Sequence, residues 1–408
     1  MKNVWFCFLL AIFMASCGKN GPTDDQLKDL CRNTGFAFRE LTDPKAKDEA
    51  FQKFAKESEA AYDIQKITPE QVELLFTTGG ESLKDYLSAW LAPILKQKAE
   101  NEGTLFTYYY WKYLPENDGF LLTDGTIEAY KKLISQPDMA DFIKNTPDVA
   151  EEVISGASAI KGDKWIQFEM VPQIKALLTY TLPDNAIERT IKVFNTALVS
   201  SLPSEDKEEI RKQTLKLYQE LAERTTSPSQ EKRAESQINY LQGAFATGTL
   251  VGNKAPALHF KWISNGKETS LDDFKGKVVM IDFWATKCAP CISSFPEIAA
   301  LQEHYKNSPV AIIGVTSIMG YFVDTPNKRT VNTANAPEKE TALMPPYMKN
   351  MGMTWRVAFT EEDVMNVQYG VLAIPHVTIL DKEGRVRYNN VSGTNEEKIK
   401  LIDSLLNE

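Results

Sequence analysis

The sequence predicts an α/β domain at the C-terminal end, preceded by an all-helical domain. Three observations lead there. Val278-Val279-Met280-Ile281 and Val310-Ala311-Ile312-Ile313-Gly314-Val315-Thr316 are continuous apolar runs of the kind buried parallel strands carry. Between them Ile292, Phe295, Ile298, Ala299 and Leu301 recur at helical spacing, so this stretch reads as a strand–helix–strand crossover. Upstream, Leu83, Leu87, Trp90, Leu91, Ile94 and Leu95 repeat every three or four residues, as do Ile187, Ile191, Phe194, Leu198 and Leu202.

At 408 residues the chain has room for about two to three domains. It opens on Met1-Lys2-Asn3 and an apolar run, Val4 to Ser16, that is too short to span a bilayer. The run ends in Met14-Ala15-Ser16-Cys17-Gly18, which resembles a bacterial lipoprotein cleavage site. That resemblance implies a signal peptide over residues 1–16 and lipidation of Cys17. Residues 17–24 then read as a flexible polar tether, and Gly18 in place of Asp favours the outer membrane over the inner. Cys7 leaves with the signal peptide. Cys31, flanked by Leu27, Leu30 and Phe36, reads either as a packed thiol or as a site of mixed-disulfide formation or dimerisation.

Residues 25–248 are read as one all-helical domain of unknown role. Thr68-Pro69 and Thr146-Pro147 each set a capping residue before a proline at the first helical position, and Leu182-Pro183 and Leu202-Pro203 punctuate between helices. Ile210, Leu217, Tyr218 and Leu221 continue the pattern. Tyr108-Tyr109-Tyr110-Trp111 with Tyr113 reads as core or as a groove for extended protein. Net charge is −9, and from Val251 onward Lys and Arg number 17 against 18 Asp and Glu. The acidity therefore lies upstream, and the basic footprint of a nucleic-acid binder is absent.

Residues 249–408 supply the second domain. Leu258 to Ile263 followed by Asn265-Gly266 reads as a hairpin. The two buried strands follow, and then a long connection over residues 318–360. Val377 to Leu380 and Val386 to Tyr388 are the last two strands, and Ile399, Leu401, Ile402 and Leu405 mark a closing helix. Cys288 and Cys291 stand where the first buried strand hands over to its helix. Unpaired amides and the helix dipole there favour an anion, so the first thiol is pushed toward thiolate. That is the setting thiol–disulfide exchange needs.

Asp282-Phe283-Trp284-Ala285-Thr286-Lys287-Cys288-Ala289-Pro290-Cys291 resembles the thioredoxin superfamily. Val251-Gly252-Asn253-Lys254-Ala255-Pro256, Phe295-Pro296-Glu297 and Tyr369-Gly370-Val371-Leu372-Ala373-Ile374-Pro375 point to its TlpA/ResA-like branch, the redoxin type, over residues 250 to 408. The resemblance implies a thioredoxin-like domain with a central mixed sheet flanked by helices, and no cofactor or metal. It implies an exposed nucleophile at Cys288 and a resolving thiol at Cys291, with Ala289 and Pro290 setting the redox poise. Asp282 would relay protons to the resolving thiol or serve as a structural buried acid. Pro375 would be the cis proline beside the cysteines, and Trp284, Ile374 and His376 would touch substrate. His376 would alternatively be a hydrogen-bonded strand residue. Lys287 would raise the thiolate fraction or point into solvent. Ser294 stands where many haem-maturation relatives carry glutamate, which speaks against that specific task.

The function so implied is a membrane-anchored thiol–disulfide oxidoreductase of the bacterial cell envelope facing the periplasm, a protein disulfide reductase or isomerase. Its partners would be exported proteins with cysteines or disulfides and a membrane thiol electron donor, with no nucleic acid. The competing readings are a peroxiredoxin-like peroxidase and a non-enzymatic helical binding or scaffold lipoprotein. Ala285 and Ile281 depart from the peroxidatic pattern, and the scaffold reading requires the cysteine pair to be dispensable. Zinc binding would need about four ligands, and no second cysteine pair is present.

Overall fold

The computed structural model describes residues 19–114 and 122–408. Residues 1–16, read as a signal peptide, and with them Cys7 and also Cys17 lie outside the described residues. The chain divides into two compact units, residues 1–214 and 215–408.

The first unit is helical throughout its described residues. Its helices are α1 (Asp24–Glu40), α2 (Pro44–Ala61), α3 (Pro69–Asn101), α4 (Thr104–Lys112), α5 (Asp124–Ile134), α6 (Met139–Asn145), α7 (Pro147–Ala159), α8 (Gly162–Gln167), α9 (Val171–Leu177) and α10 (Asp184–Leu198). α11 (Ser204–Arg224) runs across the division. Thr68 caps α3 as expected, exchanging hydrogen bonds with Gln71. Thr146 does not cap α7, because its hydroxyl donates back to the Phe142 carbonyl of α6. The tyrosine-rich stretch falls on α4, where Tyr108, Tyr109, Trp111 and Tyr113 are all buried, the core arrangement. Cys31 is a buried thiol 3.5 Å from the Leu75 carbonyl oxygen, and burial pushes its pKa up to about 11. Residues 19–22 depart from the flexible tether read in the sequence. The Asn20 carbonyl accepts the Asp63 amide at 2.9 Å and the Pro22 carbonyl accepts Gln71 Nε2 at 2.8 Å, which fastens this strip to the helices. Among the described residues no helix is long and apolar enough to cross a membrane.

After the end of α11 the second unit holds α12 (Pro228–Gln242), and it is built on a six-stranded mixed sheet. Its strands are β1 (Phe260–Ile263), β2 (Val278–Phe283), β3 (Val310–Ser317), β6 (Arg356–Thr360), β7 (His376–Leu380) and β8 (Val386–Tyr388), in the order β1-β6-β3-β2-β7-β8. β2, β3 and β6 run parallel, while β1, β7 and β8 pair antiparallel with their neighbours. Residues 318–360 therefore are not one connection, as the sequence suggests, but end in β6. A five-residue strand opening on Arg356 gives little apolar signal. The same connection holds a separate hairpin, β4 (Tyr321–Asp324) with β5 (Arg329–Asn332), and the helix α15 (Glu338–Asn350). The hairpin expected after Ile263 forms only in part. Asn265 takes the left-handed φ of 52°, but the returning chain makes a single bridge, His259 with Ser270, and β1 finds its ladder on β6.

The crossover helix is also broken. Pro296 has no N–H to continue the ladder, so α13 (Ala289–Ser293) stops and α14 (Phe295–His304) starts at Ser294. Alternation along the strands sorts two cores. Val278, Met280 and Trp284 of the β2 segment face α13–α15 and α16 (Asn395–Leu406), whereas Val279, Ile281 and Phe283 face Leu250, Leu258, Phe274 and Tyr369. Residues 243–250 belong to this second core. Phe245 packs where a side chain on Gly370 would stand, and the Ala244 amide reaches Gln368 Oε1 at 3.4 Å.

Candidate active site

β2 delivers Asp282 and the turn that follows it, and Cys288 then occupies the N-cap position of α13 with an extended φ/ψ of −87°/95°. Pro290 lies in the first turn, where a missing N–H leaves no helical bond unmade. The Cys291 amide donates to Cys288 Sγ at 3.2 Å, and the two cysteines are joined as a disulfide. Cys288 Sγ also lies 3.6 Å from the Ile374 carbonyl oxygen, and the Ile374–Pro375 bond is cis. Strand, helix start and the segment before β7 thus meet at one sulfur.

The pair is less open than the expected exposed nucleophile. Cys288 is 8% exposed and Cys291 0%, since α13 and the Ile374 segment close over them. Cys288 is still the sulfur nearer solvent, flanked by the exposed Ala289, Pro290 and Pro375.

Asp282 is 1% exposed, on the same sheet face as Met280 and Trp284 and hence on the face of the cysteine helix. Neither carboxylate oxygen has a hydrogen-bond partner in the protein. Burial pushes its pKa up to about 7, and the nearby charge of Lys398 on α16 opposes the rise. Nothing in the sequence flagged Lys398, 116 positions downstream. Its ammonium also lies 3.7 Å from Glu297 of α14.

Trp284 departs from its expected place, while His376 and Lys287 take the alternative places read for them. Trp284 touches no substrate surface, being fully buried edge-on to Phe295, with ring centres 5.2 Å apart, and stacked on Tyr347. His376 points to the opposite face of the sheet from the cysteines, beside Phe283. Its Nε2 donates to Asn389 Oδ1 at 3.0 Å, and that oxygen also accepts from the Thr378 hydroxyl. Burial lowers the His376 pKa, with the Asn389 bond opposing, so the ring is a neutral strand residue rather than a thiolate tuner. Lys287 is exposed and rests over the Tyr321 ring, 5.4 Å from its centre. The neighbouring Thr286 hydroxyl accepts the Val323 amide at 3.2 Å, so the turn before the cysteines is moored to β4.

Residues 250–406 match the Redoxin family model. The chain is 31% identical over 137 residues to the thiol-disulfide oxidoreductase ResA of Bacillus subtilis, spanning 33% of this chain and 64% of that protein. Residues 250–406 are similar to the TlpA/ResA-like branch of the thioredoxin superfamily. The thioredoxin-like protein YneN of Bacillus subtilis is 29% identical over 140 residues, 34% of this chain and 71% of its own length. Among solved structures, a thiol:disulfide interchange protein from a Bacteroides species aligns at 23% identity and a TM-score of 0.29, over 38% of this chain and 90% of that one. ResA is a thiol-disulfide oxidoreductase by name.

Proposed function

We propose that this protein is a lipid-anchored thiol–disulfide oxidoreductase of the bacterial cell envelope, exchanging disulfides with exported proteins. The observation that carries the reading is the sulfur of Cys288 at a helix start, receiving the Cys291 N–H and facing the Ile374 carbonyl beside Pro375. Once the disulfide is opened, the same amide and the helix dipole support a thiolate at Cys288. That thiolate attacks a client disulfide: a mixed disulfide forms, and one client sulfur leaves and takes a proton. Cys291 then gives its proton to the Asp282 carboxylate and attacks Cys288 Sγ, which restores the internal disulfide and releases the second client sulfur as a thiol. Two electrons pass to the client, and a membrane thiol donor returns them by the reverse exchange. Ala289, Pro290, Leu372, Ala373 and Pro375 are exposed, and the segment before β7 offers backbone to an extended peptide.

The anchor is Cys17, with its sequence context favouring the outer membrane. The deciding experiment pairs substitution with potentiometry. Cys288→Ser abolishes reduction of a protein disulfide and Cys291→Ser accumulates mixed disulfides. Unchanged turnover in Cys288→Ser refutes the reading. A reduction potential near or below about −250 mV marks a reductase, and one above about −180 mV an oxidant or isomerase.

A further inference from the structure

One side chain brackets the segment that faces the reactive sulfur. Beyond β8, Asn390 takes a left-handed φ of 53°, and the Val391 amide then picks up the Val377 carbonyl of β7 at 2.9 Å. Asn389, at this break, is set beside the start of β7. Its Oδ1 accepts from His376 Nε2 at 3.0 Å and from the Thr378 hydroxyl at 2.6 Å. Its Nδ2 donates to the Tyr369 carbonyl at 3.0 Å. An amide carries its donors and its acceptor on one rigid plane, so Asn389 fixes Tyr369 and His376 relative to each other. Between these two posts lie residues 370–375, which end in the cis Ile374–Pro375 bond and bring the Ile374 carbonyl oxygen within 3.6 Å of Cys288 Sγ.

The segment has little else to set its path. Among the described residues the amides of Leu372, Ala373 and Ile374 make no hydrogen bond, and Leu372, Ala373 and Pro375 are exposed. The chain leaves Tyr369 through Gly370, at a φ of 69°, where a residue without a β-carbon turns freely. The Tyr369 carbonyl belongs to the planar peptide unit that joins it to Gly370, so the Asn389 bond pins the plane from which the segment departs. Tyr369 itself is fully buried and donates its hydroxyl to the Pro256 carbonyl at 2.6 Å. His376 is fixed by its place opposite Phe283 in the β2–β7 ladder. Asn389 is what spans the two.

We propose that Asn389 is a positioning residue for disulfide exchange, holding the Ile374 carbonyl against the Cys288 sulfur by bracketing residues 370–375. The consequence for a client rests on the oxidoreductase reading, and the consequence for the sulfur does not. When two electrons and two protons open the disulfide, the Cys288 thiol can donate its S–H to the Ile374 carbonyl, and the same oxygen opposes a thiolate. Releasing the carbonyl therefore stabilises the reduced, thiolate-bearing pair and raises the potential. It also loosens the backbone that an extended client would pair with.

The test is the redox equilibrium of the full chain in glutathione buffers, with KM and kcat for insulin reduction measured alongside. Asn389→Ala is expected to shift the equilibrium constant about fivefold toward the reduced pair, roughly 20 mV, and to raise KM more than it lowers kcat. Asn389→Leu removes the same bonds and keeps the volume, and it decides if Asn389→Ala does not fold. Thr378→Val removes one bond to Oδ1, leaves the span intact and is expected to keep the parent potential. Folded Asn389 variants with the parent potential overturn the proposal, as does an equal shift in Thr378→Val. A shifted potential in Asn389→Ala, when the parent reduces no protein disulfide, overturns the oxidoreductase reading and leaves the bracket standing. Normal exchange by the parent with unshifted Asn389 variants does the reverse.

Discussion

Asp282 lies between Met280 and Trp284 on a buried strand, and its carboxyl titrates near 7 instead of the usual 3.8. A folded-state pKa raised above the unfolded one gives stability that is full below the unfolded value and is lost as pH rises through the folded value. The window here runs from about pH 4 to about pH 7. Asp282→Asn is therefore expected to stabilise the second unit by on the order of 2–4 kcal/mol at pH 8 and by almost nothing at pH 4. Urea unfolding at the two pH values checks this, and an equal gain at both would contradict the raised pKa. His376 illustrates the opposite case: a histidine beside the proline looks chemical in sequence, yet its side chain leaves the strand on the far face and is satisfied by Asn389.

At the scale of elements, the hairpin β4–β5 is held at its open end, where both strands meet the rest of the chain, by one side chain. Glu340 on α15 is buried and accepts the Met319 and Gly320 amides and the Thr333 hydroxyl, the last two at 2.7 Å. This hairpin in turn holds Thr286 and carries Tyr321 under Lys287, so the clamp sets the turn that presents Cys288. Glu340→Ala leaves buried donors unmade and is expected to cost about 2–4 kcal/mol and to slow disulfide exchange. Chemical denaturation and an insulin-type reduction assay measure the two effects, and a loss below about 1 kcal/mol would remove Glu340 from this role. The strand–turn–helix carrying Cys288 was legible because apolar run, cysteine spacing and helical period agree. The β6 strand and the clamp were not, since a short strand opening on Arg356 and a lone glutamate carry no periodic signal.

Across the second unit, the core beneath the sheet reaches back to residues that precede the family match. Phe245 packs over Gly370, whose φ of 69° favours glycine, and a methyl group there would lie 2.3 Å from the ring. Phe245→Ala is expected to lower the stability of this unit by about 1–3 kcal/mol without altering the cysteine chemistry. Thermal unfolding with a parallel measurement of reduction potential separates the two. A chain starting at Thr249 should show the same deficit, and one starting at Leu215 should not.

The sequence by itself determined the α/β domain, its preceding helices and the redox pair, because each rests on local patterns: apolar periodicity, proline and capping residues, and two cysteines on one helical turn. Which face each strand residue takes, and what it meets there, was decided only in the tertiary structure. Trp284 was turned inward, His376 was sent to the far side, and Lys398 was brought to Asp282 from 116 residues away. The physical reason is that burial and electrostatics depend on long-range packing, which leaves no local trace along the chain.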